Sequence, residues 1–160
     1  MEGERVKGLC VVVLALVMGL AGCGSELNNE NRTEKQSTAL RERAETMKIR
    51  VTNEEYEIVY QLNDSTAAKG LYEQLPLTLE VKDFSTNEKT FYPPKELDVT
   101  DTPVANADKG TLAYYAPWAD VVMFYDYFGT GNSLYELGEV VSGKENIENL
   151  QGTIIVEVVE

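Results

Sequence analysis

The sequence predicts a mainly β fold, seven to nine strands closed into a small barrel or sandwich with helical plugs. Three observations carry that prediction. From Met47 onward apolar residues recur at every second position, and only one segment has a helical period. The run "DVVMFY", Asp120 to Tyr125, is apolar on both faces, as a strand in the middle of a fold must be.

Met47, Ile49 and Val51 alternate with Lys48, Arg50 and Thr52. Tyr56, Ile58, Tyr60 and Leu62 alternate with Glu55, Glu57 and Gln61, Val59 being the exception, and "TNE" turns between these two strands. "NDSTAAKGLYEQLP" reads as a helix. Asp64 or Ser65 caps it, Ala67, Ala68, Leu71, Tyr72 and Leu75 form its apolar face, and Pro76 ends it. Gly70 inside it costs about 1 kcal/mol relative to alanine, and close packing on the sheet is the expected reason for it. Leu77, Leu79 and Val81 mark a third strand and "KTFYPP" a short fourth. "KELDVTDTPVANADKG" reads as a long loop with one short edge strand near Leu97 to Val99. "TLAYYA", "DVVMFYDY", "LYELGEVVSG", the helical turn "KENIENL" and a last strand "GTIIVEVVE" complete the domain, residues 47–160.

The N-terminal part has a different character. Gly8 to Gly22 is uncharged and only fifteen residues long, shorter than the roughly 20 apolar residues that cross a bilayer. Residues 1–22 are therefore expected to be a signal peptide. "LAGC", ending at Cys23, resembles the bacterial lipoprotein box, which implies a diacylglyceryl group on the Cys23 thiol and cleavage just before it. Two or three acyl chains make such an anchor stable, at about 0.8 kcal/mol per buried methylene. Residues 24–46 are polar and poor in large apolar groups, so 23–46 reads as a lipidated cysteine followed by a flexible tether. The expected location is outside the cytoplasm of a bacterial cell, with the membrane as a partner through the lipid.

Composition narrows the chemistry. The chain has no histidine, and its two cysteines, Cys10 and Cys23, both precede the domain. A zinc site of nitrogen and sulfur ligands and a histidine triad are thus excluded from residues 47–160, and no acidic calcium loop is present. No cofactor is expected. The net charge of −13 disfavours nucleic acid as a partner.

Half of the chain's aromatic residues lie between Tyr114 and Phe128. The strand itself is core, but Pro117 marks a turn and exposes Trp118, and Tyr127 and Phe128 adjoin glycines. The candidate ligand-binding residues are therefore Tyr115, Trp118, Tyr127 and Phe128, with Glu136 as a half-buried carboxylate beside the aromatic strand. An enzyme using a carboxylate pair would draw on Glu136, Glu139, Asp120 and Asp126.

The run "GTLAYYAPWADVVMFYDYFG" followed by "LYELGEVVSGKENIENLQGTIIVEV" resembles the bacterial cyclophilin-like domain family. Leu137 to Gly143 is similar to the phenylalanine-glycine-x-valine-x-x-glycine strand and turn of true cyclophilins. The resemblance implies a closed, cyclophilin-like antiparallel β-barrel of about eight strands with two short helices. In true cyclophilins an arginine fork, aided by a glutamine, a histidine and an apolar proline pocket, stabilises the twisted amide against a barrier of about 18–20 kcal/mol. Arg50 is the sole arginine of residues 47–160, and Gln61, Gln74 and Gln151 do not match the family's glutamine position. The expectation is a non-catalytic module that binds a small ligand, peptide or protein. The alternatives are a weak prolyl isomerase and an accessory part of a surface assembly.

Overall fold

The computed structural model describes residues 35–38 and 47–159. Residues 35–38 form an exposed helical turn; the expected signal peptide, Cys23 and most of the expected tether lie outside the described residues. In the domain, β1 (Lys48–Thr52) and β2 (Glu57–Leu62) are followed by α1 (Thr66–Tyr72), β3 (Leu77–Phe84), β4 (Glu88–Phe91), β5 (Val104–Ala107), β6 (Thr111–Tyr115), β7 (Asp120–Phe124) and β8 (Gly129–Ser142). A 3-10 helix, Lys144–Asn149, then leads into β9 (Gly152–Val158).

The strands pair in the order β2-β1-β9-β3-β4-β7-β6-β8, and β2 also pairs with β8, so eight of them close a ring. Every pairing is antiparallel. The alternation seen in the sequence fills the interior: Ile49, Val51, Ile58, Tyr60, Leu112, Tyr114, Val121, Met123, Ile154 and Val156 are buried in one cluster. Two plugs cover it. Ser65 accepts a bond from the Ala68 N–H and starts α1, which buries Ala67, Ala68 and Leu71. The 3-10 helix contributes Ile147, with Leu150 just after it.

Two parts of the fold depart from the sequence reading. The edge strand of the long loop is at Val104–Ala107, where Ala105 and Ala107 are buried and Val104 and Asn106 exposed, and Leu97 is instead a loop residue whose N–H bonds Tyr114 Oη at 3.1 Å. β8 begins at Gly129, well before the expected "LYELGEVVSG". Its first half pairs with β5, and Leu137 is an extra residue between Gly138, opposite Leu112, and Glu136, opposite Ala113. Such a bulge bends a strand. The bent arm of β8 and β5 buries a second, smaller core, Ala105, Ala107, Ala113, Val122, Phe124 and Leu134, against β6 and β7.

The ring closes where β2 meets β8, and glycine allows it. A Cβ on Gly138 would stand 2.1 Å from the Gln61 carbonyl oxygen and 2.8 Å from Leu62 Cα. Gly143, at φ +76°, meets the Glu57 carbonyl equally closely, at 2.1 Å. Both obstacles are backbone, so a side chain at either position parts the seam. Gly70 differs: a Cβ there meets Leu97 at 3.6 Å, an ordinary contact, so helix-to-sheet packing does not require it. Gly138→Ala is expected to destabilise the domain by about 1–3 kcal/mol, and Gly70→Ala to stabilise it by about 0.5–1 kcal/mol. Urea denaturation of the three chains checks both signs.

Candidate functional site

The turn between β6 and β7 builds one side of a cleft on the outer wall of the barrel. Tyr115 O accepts from the Trp118 N–H at 3.2 Å and Ala116 O from the Ala119 N–H at 3.3 Å. Pro117 suits this tight turn, and Ala119 takes a left-handed φ of +55° to re-enter β7. The turn leaves Trp118 half exposed. Its ring stands edge-on to Phe84 (5.3 Å, 81°) and to Tyr115 (5.4 Å, 85°), an arrangement favoured by ring quadrupoles. Opposite them, Phe128 leans on Phe124 at 5.3 Å and lies close over Gly131.

Together these groups enclose a cleft of about 330 Å³, completed by Glu88, Asp120, Val122, Leu134 and Asn132. Its floor is the outward face of β4 and β7. Along β7, Asp120, Val122 and Phe124 face outward while Val121 and Met123 enter the barrel core. The two acids are buried, Glu88 at 9% exposure and Asp120 at 2%. Asp120 Oδ1 has no hydrogen-bond partner.

Burial pushes the Glu88 carboxyl up to about 7, with the neighbouring Asp120 adding to the shift. Burial also raises the Asp120 carboxyl, partly offset by its own backbone N–H. The Asp120 charge thus works against ionisation of Glu88. No cation pairs with either among the described residues. Lys89 points the other way, to Asp83 at 3.0 Å with its Nζ 5.7 Å from the Tyr125 ring.

Of the residues singled out in the sequence, Tyr115, Trp118 and Phe128 line the cleft, and so does Asp120. Tyr127 and Glu136 do not. Tyr127 is 66% exposed and folds back over Gly129. Glu136 is half-buried on β8 near Glu139, and burial followed by that neighbour raises its carboxyl. Glu139 itself accepts a bond from Thr111 Oγ1 at 2.7 Å. Phe84 and Glu88 join the site without having been singled out, because the β3–β4 hairpin that delivers them looks like a plain polar turn, "DFSTNEK". Asp120 did carry a signal, being a charge at the head of a strand apolar on both faces.

Arg50 stands far from this cleft. β1 is four strands from β7 either way round the ring. Its guanidinium gives two bonds to Glu157 Oε1, 3.1 and 2.8 Å, and lies 3.6 Å from Glu57. Gln74 ties the loop after β4 to α1 through Lys95, and Gln61 bonds the Met47 carbonyl. A roomier depression of about 590 Å³ at the β1–β2 turn and the start of β9 includes Gln151. Its lining is largely exposed and polar, and no unpartnered buried group faces it.

The Glu88 shift has a stability consequence. Its folded-state pKa lies above the ordinary 4.5, so the folded protein holds this proton more tightly than the unfolded chain. That stabilisation is fully present below about pH 4.5 and is lost as pH rises through about 7. Glu88→Gln is expected to remove this component and to raise both the stability, by an amount on the order of 1–3 kcal/mol, and the melting temperature above pH 7. Melting curves between pH 4.5 and 8 check it.

The family model described as the cyclophilin-like family matches residues 49–159. No curated protein matches the chain. Among solved structures, a hypothetical protein from Archaeoglobus fulgidus, determined in solution, is similar with a TM-score of 0.55 and 18% identity, covering 74% of this chain and 98% of that one. At that identity the likeness concerns the fold. The ring of eight strands, the two plugs and the match over residues 49–159 agree, and the chain belongs to the cyclophilin-like family.

Proposed function

We propose that this chain is a membrane-tethered, non-catalytic binding module. A lipid on Cys23 anchors it outside the cytoplasm of a bacterial cell, and the aromatic cleft holds a small ligand. The observation that carries the reading is the cleft itself: Phe84, Trp118 and Phe128, all exposed large apolar side chains, converge around one concavity. Exposed aromatics gathered at a concave surface are what a recognition site requires.

The non-catalytic part rests on what faces the cleft. Prolyl isomerisation by the mechanism of true cyclophilins needs a fixed, planar donor beside the apolar pocket. Here the cleft's polar groups are carboxylates and Asn132, while Arg50 is engaged by Glu157 and Glu57 across the barrel. A buried carboxylate pair supplies no such fork.

A thermal-shift screen of the full chain and its Trp118→Ala variant tests the binding site. A ligand present at about a hundred times its Kd stabilises by about 2.7 kcal/mol, and that shift is expected to vanish in the variant. Identical responses in both chains remove the cleft from the reading. A proline-peptide isomerisation assay is expected to show only the background rate; turnover above it overturns the non-catalytic assignment. Incorporation of labelled fatty acid into the full chain in cells is expected, and its persistence in Cys23→Ser contradicts the anchor.

A further inference from the structure

We infer that the cleft is built for a small organic cation, an ammonium or guanidinium group on an apolar body, whose N–H groups reach Asp120 while Trp118, Tyr115 and Phe84 enclose the remainder. The inference rests on the binding reading above and gives its ligand a chemical class.

The first ground is Asp120. Its side chain is buried, it lines the cleft, and Oδ1 has no partner. Buried polar atoms without a partner are rare in folded proteins, and an ionised carboxylate only accepts. The missing component is a donor. The second ground is Glu88, a second buried acid on the lining of the same cleft. Two buried carboxyls on one lining with no counter-charge are costly, and a cation bonded to Asp120 lowers that cost. Lys89, next to Glu88 on β4, is committed to Asp83.

The third ground is the enclosure. Aromatic faces attract cations, most strongly when water is excluded. An anionic ligand meets repulsion from the same floor, and a neutral donor satisfies Oδ1 but leaves the charge uncompensated. Size sets the class of molecule: about 330 Å³ is at the lower end of small-molecule sites, which run from about 300 to 1,000 Å³. The net charge of −13 adds a field that draws cations to the protein.

The test uses the full chain at pH 8 and three probes of one shape: benzylammonium, benzyl alcohol and benzoate. Trp118 is the only tryptophan, so its fluorescence reports the cleft directly, and calorimetry serves for variants. Benzylammonium is expected to bind about tenfold or more tighter than benzyl alcohol, the size of a charge-assisted bond, and benzoate not to bind. Asp120→Asn is expected to remove that preference, leaving benzylammonium no tighter than benzyl alcohol; Glu88→Gln, which keeps the shape of its side chain and removes a second negative charge from the lining, is expected to reduce the preference and serves if the first variant does not fold. Equal affinity for the ammonium and the alcohol, both dependent on Trp118, overturns the cation inference and leaves the binding reading standing. Absence of any Trp118-dependent binding overturns both.

Discussion

The structure depends on one close approach, that of β8 to β2 at Gly138 and Gly143. The Gln61 and Glu57 carbonyls occupy the space where side chains at those two positions would stand. Without the approach the sheet has two open edges and the interior cluster, from Ile49 to Val156, loses its enclosure. The glycines of the Leu137–Gly143 motif thus have a mechanical reason: they let two backbones pass within contact distance and close the ring.

Closure determines where the cleft lies. The barrel interior is filled by buried side chains, and the aromatic cleft lies on the outside wall. The Leu137 bulge bends β8 so that its first half and β5 bury a second core against β6 and β7. The cleft is the unfilled margin of that second core, where Val122, Phe124 and Leu134 are shared between the two. A buried acid at such a margin is costly to stability and useful to recognition, and Asp120 and Glu88 occupy that position. Arg50, opposite them on the ring, takes part in surface pairing instead.

The fold was legible because period two is a local signal. Alternation from Ile49 to Val51 and from Ile58 to Leu62 specifies a face without reference to the rest of the chain, and Ser65 marks the start of α1 by a bond three residues long. The bulge at Leu137 was not legible, since an extra residue in one strand is defined only against its partner. For the same reason Glu136, read from its neighbours in sequence, stands away from the cleft. Trp118, Tyr115 and Phe128 were legible through Pro117 and the glycines beside them. Glu88 was not, because it joins the cleft only through the pairing of β4 with β7, where it stands opposite Phe124, and Phe124 is distant from it in sequence.

The central claim is that this outer-wall cleft, not the roomier polar depression at the β1–β2 turn, is the ligand site. Amide chemical shifts of the isotope-labelled full chain titrated with benzylammonium test it most directly. The account predicts saturable changes at 115–122, at Phe84 and Glu88 and at 128–134, with 52–55 and 151–153 unmoved. Changes centred on 52–55 and 151–153, or spread evenly over the acidic surface, contradict it.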